Sequence, residues 1–481
     1  MTPRGYRIAV AVFSTTLFVS AFLLFSIQPM FAKMVLPLLG GTPAVWNTCI
    51  VFFQAALLAG YAYAHLATRW LPLRRQAVAH LALLFVPLLL LPVGVSRHWL
   101  PPTEANPIPS LLGLMVGTVG LPFFVVSATA PLLQKWFAST DHPSAGDPYF
   151  LYAASNLGSL LALLSYPVVV EPSLRLASQS RVWAFGYSAL VVLIGCCVLI
   201  VWRSASLPTR SGSQPTERPS PQPSPAADHR ARVTLSRRAH WVLLAFVPSS
   251  LMLGVTTYLS TDIAAIPLLW VIPLALYLST FILVFAKKVL LPHWLMVRLF
   301  PILILPVAIS LLVHALQPIW LIISLHLVMF FVAAMVCHGE LAADRPPTSV
   351  LTEYYLWMSF GGALGGLFNA LIAPVIFSTA MEYPLAMILA CLLRPGSPDE
   401  PKEGLSHWLD YVMPVAFAFM VAGLFLAISV SAIPSLLVRQ LFCLALPAIL
   451  CYVFRHRPIR FGLCMGVFLL LGFERLIRLD I

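Results

Sequence analysis

Long apolar segments separated by short polar breaks run through most of this chain and limit what it can fold into. The hydrocarbon core of a bilayer is about 30 Å thick, so a helix needs about 20 apolar residues to cross it. Of the 481 residues, 60% are hydrophobic and only 10% are charged, whereas an ordinary soluble domain has about 25% charged residues. The sequence therefore excludes a soluble enzyme and predicts an all-α, polytopic membrane protein.

The apolar segments form two groups of six and a shorter third group. The first six predicted spans lie near residues 9–32, 44–66, 77–95, 111–134, 149–169 and 182–202. The second six lie near residues 239–260, 264–286, 299–316, 318–338, 350–376 and 380–393. The third group lies near residues 411–431, 432–454 and 461–473, and its last segment is short for a span.

Two polar stretches separate these groups. Residues 203–238 contain seven Arg and six Pro but no aromatic residue, a composition that cannot bury enough apolar surface to fold. We therefore expect a basic, disordered cytoplasmic linker there, between an N-terminal six-helix repeat at 1–202 and a C-terminal six-helix repeat at 239–393. We expect a polar linker at 394–409 and two or three extra membrane helices at 410–481.

The distribution of Lys and Arg predicts the orientation of the chain. The net charge is +12, but the basic residues lie in short loops between apolar segments and do not form the basic face that binds nucleic acid. Loops rich in Lys and Arg stay on the cytoplasmic side of a membrane. If the N-terminus lies in the cytoplasm, the loops on that side contain most of the basic residues. We therefore predict a multi-pass protein with a cytoplasmic N-terminus, whose general partner is the lipid bilayer.

The sequence offers no pattern of metal-ligating or catalytic residues. The eight Cys lie within or beside apolar segments, without a CxxC pair or the Cys/His spacing of a zinc site. We interpret them as small core residues and expect no metal and no cofactor. No nucleophile and base stand in a recognisable arrangement, so the sequence does not favour an enzyme.

The two groups of six spans are similar to each other in sequence. The second span begins PAVW at 43–46 and the eighth PLLW at 267–270, while the fifth begins YFLY at 149–152 and the eleventh YYLW at 354–357. Both matches join span n to span n+6, and an even shift preserves orientation. This pattern predicts two parallel repeats related by an axis along the membrane normal, as in major facilitator transporters. Chance similarity between aromatic helix starts is the alternative.

Several longer segments are similar to a known family. They are QP at 28–29, GGTPAVW at 40–46, FFQ at 52–54, DPYFLYAASN at 147–156, TDIAAIPLLW at 261–270, HGELA at 338–342 and GGALGGLFN at 361–369. Through these segments the chain resembles the bacterial fused major-facilitator/spermidine synthases, over about residues 20–385. The resemblance implies a bacterial cytoplasmic (inner) membrane, a 6+6 major-facilitator-like bundle and a polyamine-related role.

Members of that family typically continue into a soluble domain that resembles aminopropyltransferases. We find no glycine-rich turn between a strand and a helix in this chain, and no soluble acidic catalytic segment. We therefore expect the synthase domain to be absent from it. Either a separate chain supplies that domain, or the membrane part works alone.

Polar and ionisable side chains in or beside the apolar segments are the candidate functional residues, since a charge at mid-bilayer costs about 3 kcal/mol. The candidates for binding a substrate are Gln28, Asn47, Gln54, Asn156, Tyr258, Asp262, Trp270 and Asn369. The candidates for proton transfer or gating are His338, Glu340, Asp344, Arg345 and Glu353, with His338 and Glu340 as a proton-sensitive pair. The alternatives are that the amides join helices and that the acids cap helices in the headgroup zone.

Two functional hypotheses follow from these features. The first is a transporter that moves a small cationic or polar solute by rocking two halves about a site at the midplane. The second is a membrane anchor, scaffold or regulatory subunit of a larger complex or of a separate synthase-like enzyme, which the extra C-terminal segments favour. The scarcity of acids within the spans argues against tight binding of a polycation.

Overall fold

The computed structural model describes residues 3–39, 43–95, 107–205, 233–264, 268–377, 379–396, 405–430 and 435–479. These residues form helices joined by turns and bends, and they contain no β-strand. Most of the predicted basic linker, residues 206–232, and part of the polar linker, residues 397–404, lie outside this description. The residues on either side of the basic linker, up to 205 and from 233, are described.

The helices are numbered here in chain order. They are α1 (Pro3–Leu39), α2 (Pro43–Trp70), α3 (Leu73–Leu88), α4 (Pro107–Met115), α5 (Leu121–Ala138), α6 (Phe150–Ser165), α7 (Glu171–Ser173), α8 (Leu176–Ala205), α9 (Leu235–Tyr258), α10 (Val271–Phe285), α11 (His293–Leu312), α12 (Ile319–Ala343), α13 (Leu351–Leu367), α14 (Ala373–Ile376), α15 (Glu382–Leu393), α16 (Leu405–Val430), α17 (Leu436–Gln440), α18 (Leu446–Val453) and α19 (Pro458–Leu479).

The lengths of these helices are those of a multi-pass membrane protein. Within the described residues, ten helices, counted with the π-helical turns that continue them, are long and apolar enough to cross a bilayer. Three shorter apolar helices cover Val271–Phe285, Glu382–Leu393 and Val438–Val453. The predicted segment at 461–473 belongs to a longer helix, α19, which is not among the ten. The all-helical membrane class is thus confirmed.

π-Helical turns interrupt or end several long helices. Five are present in the described ranges, at Val116–Gly120, Tyr166–Val170, Leu259–Ile263, Phe368–Ile372 and Leu441–Ala445. Pro167 lies within the second turn, and Pro122, Pro374 and Pro447 each follow a turn by two residues. Because proline has no N–H to donate and its ring crowds the carbonyl four residues before it, the preceding turn widens.

The first of two compact units comprises Met1–Val242, Phe281–Lys288 and Asp344–Ala363. In it, α1 packs against α5, α6 and α8, and α2 packs against α5. Its core contains fully buried Phe and Trp side chains, and the polar groups of buried aromatic residues are paired. The Trp183 indole donates to the carbonyl of Leu23 at 2.9 Å, and the Tyr187 hydroxyl donates to that of Leu84 at 2.9 Å. Both rings can therefore be buried without leaving a donor unsatisfied.

The second compact unit comprises Leu243–Thr280, Val289–Ala343 and Leu364–Ile481. In it, α11 packs against α12, and α19 packs against α15 and α16. Asp410, near the start of α16, is buried and accepts a bond from Arg460 of α19 at 2.9 Å, with Arg457 3.7 Å away. This ion cluster and the apolar face of α19 hold the last helices to the rest of the unit. The division of the chain into two six-helix repeats is a relation of sequence and stays a prediction.

The contact between α1 and α6 generates a test of the packing. A Cβ atom at Gly158 would lie 2.2 Å from the backbone oxygen of Phe18, whereas one at Gly195 of α8 would have no atom of another element within 4 Å. We expect Gly158→Ala to lower the stability of the purified protein by about 1–3 kcal/mol, because the two backbones must separate. Gly195→Ala, the matched control, should leave the melting temperature in detergent unchanged or slightly raised. Equal melting temperatures for the two variants would contradict this packing.

Candidate functional site

Three of the predicted gating residues, Asp344, Arg345 and Glu353, lie in the first compact unit and bind charged or aromatic residues from other parts of the chain. Their partners come from the start of α9 and from the loop before α6. We call Asp147, Arg237, Arg238, Trp241, Asp344, Arg345 and Glu353 the linker-side network, because α9 begins immediately after the basic linker.

Asp344, the residue that follows α12, binds side chains from the first two turns of α9. Arg237 donates from Nε to the two carboxylate oxygens at 3.1 and 3.2 Å and from Nη2 to the backbone oxygen of Asp344 at 2.9 Å. Trp241 adds a bond from its indole N–H to Oδ2 at 2.7 Å. Arg237 and Trp241 are four residues apart and lie on one face of α9, so a single carboxylate can bind both.

Glu353 occupies the first turn of α13 and is the most buried of the three acids of the network. Its Oε1 accepts from Arg238, with Nη2 at 2.7 Å and Nε at 2.8 Å. The indole N–H of Trp357, one helical turn later, lies 3.4 Å from the same oxygen. The sequence placed Arg238 in the disordered linker, so its role as the partner of Glu353 was missed.

Arg345 binds at the start of α6. Its Nη2 lies 3.0 Å from Oδ2 of Asp147, in a pair more exposed to solvent than the other two, and its guanidinium lies over the ring of Tyr149. The Tyr149 hydroxyl donates to the backbone oxygen of Pro346 at 2.7 Å. Burial raises the pKa of Tyr149 above its ordinary value. The phenol therefore stays neutral at pH 7 and keeps the proton that this bond requires.

Behind the ions lies a layer of tyrosine rings from α6 and α13 and the residues that precede α6. The ring of Tyr149 contacts those of Tyr354 and Tyr355, with ring centroids 5.9 Å apart in each case. Tyr152 contacts Tyr355 at 5.1 Å. The hydroxyl of Tyr355 donates to Oε1 of Gln134 in α5 at 2.6 Å. The two aromatic segments that the sequence paired as repeats thus contact each other directly.

A cavity of about 490 Å³ opens beside Glu353 and Arg238. The other residues that line it are His65, Thr68, Arg69, Lys135, Val233, Ser349, Val350 and Thr352. A second cavity of about 420 Å³ in the same unit is mostly apolar and lies between the ends of α1 and α8 and residues 92–95. The first cavity alone combines several charges with hydroxyl groups.

The amides predicted to bind substrate in the first unit are partly or fully buried. Gln28 donates to the carbonyl of Leu24 at 3.2 Å, and Asn156 donates to that of Tyr152 at 2.9 Å. Each of these bonds returns to the preceding turn of the same helix. Asn47 and Gln54 are half-buried in α2. The structure does not bring these amides to the linker-side network.

In the second unit, His338 and Glu340 have different partners. The ring of His338 is fully buried, with Nδ1 2.8 Å from the hydroxyl of Thr280, whereas Glu340 lies 2.6 Å from Nε2 of His293. Residues two apart on a helix point in nearly opposite directions, which separates the two side chains. At this end of α12, Glu340 is therefore paired with His293 and not with His338.

A buried histidine that the sequence analysis missed lies near Tyr258. His326 of α12 is 2.9 Å from the Tyr383 hydroxyl through Nδ1 and 3.0 Å from the Ser310 hydroxyl through Nε2. The ring of Tyr258 stacks on it, with centroids 4.8 Å apart. Because both ring nitrogens are bonded, the cluster accounts for a polar group inside an apolar unit. The only sequence signal was an isolated His in an apolar segment.

The remaining candidates in the second unit are dispersed. Asn369 donates to the Ser250 hydroxyl at 2.8 Å and to the carbonyl of Gly365 at 2.9 Å. Asp262 is exposed in the π-helical turn after α9, and Trp270 is exposed before α10. The described residues contain no group of three His, Cys, Asp or Glu side chains placed to hold a metal ion.

Comparisons with known proteins do not assign this chain to a family. No protein-family model matches the chain, and a search of curated proteins found no match. The resemblance to fused major-facilitator/spermidine synthases therefore stays a prediction.

The Glu353–Arg238 and Asp147–Arg345 ion pairs differ in burial, and this difference provides a test of the network. Glu353 is 15% exposed, and Asp147 is 56% exposed. We expect Glu353→Gln to destabilise the protein by about 1–3 kcal/mol, because it leaves Arg238 half-buried without its counter-charge. Asp147→Asn should cost less than about 1 kcal/mol. Thermal unfolding in detergent at one ionic strength measures both, and an equal or larger loss for Asp147→Asn would refute the assignment.

Proposed function

We propose that this chain is a transporter of a small solute that works by alternating access, and that the linker-side network is one of its gates. The observation that carries the proposal is where the network's partners lie in the chain. Residues between α12 and α13 and at the start of α13, in the second predicted repeat, bind residues at the end of α5 and before α6 in the first predicted repeat, and Arg345 with Asp147 is the network's pair among them. These are side-chain bonds, so they can break and re-form while every helix stays folded.

The internal repeat supports the proposal through its packing. In the first predicted repeat, Gly158 of the fifth span lies against the backbone of Phe18 in the first span. In the second, Gly365 of the eleventh span lies against the backbone of Phe246 in the seventh, 2.6 Å from a Cβ built on the glycine. The fifth span therefore meets the first through a glycine, and the eleventh span meets the seventh in the same way. The second pair lies six spans after the first pair in the chain. This recurrence favours a 6+6 arrangement of parallel repeats over chance similarity.

A second recurrence concerns the ends of the same spans. Both α6 and α13 run into π-helical turns, at Tyr166–Val170 and Phe368–Ile372. A proline lies in or just after each turn, Pro167 in the first case and Pro374 in the second. Interrupted helices are common in transporters, because the freed backbone groups can bind solutes or ions.

The sequence motifs and the basic loops support the finer parts of the proposal. The motifs favour a bacterial inner-membrane protein related to the fused major-facilitator/spermidine synthases. The basic residues of alternate loops favour a cytoplasmic N-terminus and linker. The linker-side network would then be the cytoplasmic gate.

The charges of the chain bear on the class of solute. A polyamine needs carboxylates that are not already neutralised. Of the three acids considered for this role, Glu340 and Glu353 bind His293 and Arg238, and only Asp262 is exposed. We therefore favour a neutral or singly charged polar solute over a polycation, although the resemblance points to polyamines.

The exposed surface of α16 favours the second candidate, a membrane subunit of a larger assembly. Tyr411, Val415 and Phe419 follow one another at four-residue intervals and are 50%, 55% and 76% exposed. A stripe of this kind faces either lipid or another apolar helix. The spans predicted after residue 410 would be additional to the twelve of a major-facilitator-like bundle.

Spin labels test for a gate without knowledge of the solute. We would label cysteines placed at Gly146 and Pro347 in nanodiscs, exposed positions beside Asp147 and Arg345 that leave the ion pair intact, and cysteines at Arg181 and Arg203 of α8 as a rigid control. Alternating access predicts two distance populations for the first pair, because the gate opens and closes, and one for the control, near 33 Å for about 22 residues of helix. A single narrow distance for the 146–347 pair at every pH and solute tried would contradict a gate.

Gentle purification tests the subunit hypothesis separately. If α16 binds a partner helix, a stoichiometric protein should remain with the chain after extraction in mild detergent and size exclusion. Tyr411→Ala combined with Phe419→Ala should release that protein, while Val78→Ala, on the exposed surface of α3, should not. A monodisperse lone chain would argue for the transporter.

A further inference from the structure

The polar cavity of the first unit has the position of a binding site. It lies at the linker-side ends of four elements: α2 supplies Arg69, α5 supplies Lys135, and α9 and α13 supply Arg238 and Glu353. Its volume of about 490 Å³ falls within the range of about 300–1,000 Å³ that is usual for small-molecule sites. Its rim is exposed at Arg69, so an aqueous or headgroup ligand can reach it.

The charges in the cavity are unbalanced. Arg238 is neutralised by Glu353 at 2.7 Å. Lys135 instead donates to the backbone oxygen of Thr348 at 2.7 Å, and no carboxylate of the described residues forms an ion pair with it. Arg69 is exposed and likewise forms no ion pair within the described part of the chain. With His65 neutral, the lining carries two positive charges more than negative ones.

Hydroxyl groups also line the cavity. The Thr68 hydroxyl donates to the carbonyl of His65 at 2.9 Å and lies 3.0 Å from the hydroxyl of Thr352, which is itself 3.2 Å from Nδ1 of His65. These bonds fix the side chains across α2 and α13. Ser349 adds a further hydroxyl to the lining.

This combination of groups fits one chemical class. A terminal phosphate group, esterified at one oxygen, carries a charge of about −1.5 to −2 and three strong acceptor oxygens. Two unneutralised cations on separate helices match its charge, and their N–H groups and the Ser349 hydroxyl can donate to its oxygens. A single carboxylate would balance only one of the two cations.

We propose that this cavity binds a terminal phosphate group, either of a soluble phosphorylated compound or of a phosphatidic acid headgroup from the adjoining leaflet. The site does not depend on the proposed transport activity, since a membrane subunit could hold the same ligand. Arg69 and Lys135 bind the phosphate, and the hydrogen-bonded Thr68–Thr352 pair holds α2 against α13 beside them.

The test uses the full chain in a maltoside detergent, with pyrophosphate as the soluble probe and phosphatidic acid as the lipid probe. Thermal unfolding and native mass spectrometry are recorded at constant ionic strength, because salt screens exposed charges. The key variant is Arg69→Gln, which alters an exposed side chain outside the linker-side network. Arg75→Gln, at an exposed position of α3 that does not line the cavity, is the matched control for loss of charge.

Two outcomes support the site and distinguish its ligand. If pyrophosphate binds with 1:1 saturation and raises the melting temperature, and Arg69→Gln weakens it at least tenfold while Arg75→Gln does not, the ligand is soluble. If instead one phosphatidic acid molecule is retained by the native chain and by Arg75→Gln but lost from Arg69→Gln, it is a lipid. Lys135→Gln should reproduce either loss.

Two other outcomes would overturn the proposal. One is that neither probe binds to the native chain or stabilises it. The other is that Arg75→Gln weakens binding as much as Arg69→Gln, which would assign the effect to general surface charge.

Discussion

A polar group within a bilayer has no water to bind, so the chain itself must supply a partner for it. This constraint accounts for most of the side-chain bonds within the spans. The buried indole of Trp183 and the phenol of Tyr187 donate to backbone carbonyls of other helices. His326 is bonded through both ring nitrogens. Each of these bonds joins two helices, so satisfying the polar atom also fixes how those helices pack.

The same constraint concentrates charge at the helix ends. In the first unit, the Arg237–Asp344 and Arg345–Asp147 pairs are each more than a quarter exposed, so they cost less to break than the more buried Arg238–Glu353 pair. A gate made of such exposed bonds can open with little loss of stability, whereas one made of buried apolar contacts cannot. The neighbouring cavity retains an excess of positive charge for the same reason, since its rim is exposed to solvent at Arg69.

The order of the helices could be predicted from the sequence, but the partners of the polar residues could not. Apolar length alone predicted the long spans, because the bilayer sets that length. Glu353 was identified as a candidate from its acid in an aromatic segment, yet its partner Arg238 lies 115 residues away, in a stretch whose composition predicts disorder. A pairing between residues so far apart in the chain cannot be predicted from the sequence alone. His338 and Glu340 illustrate the opposite error, since neighbours two residues apart on a helix do not face each other.

The glycine contacts restrict how this protein can change over evolution. A helix turns by about 100° per residue, so one residue inserted in α6 between Tyr152 and Gly158 would rotate the glycine away from Phe18 and bring a side chain against the α1 backbone. The same reasoning applies to α13 ahead of Gly365. The interval from each aromatic start to its glycine should therefore stay the same in homologous chains, because an insertion or deletion there would change which residue faces the neighbouring backbone.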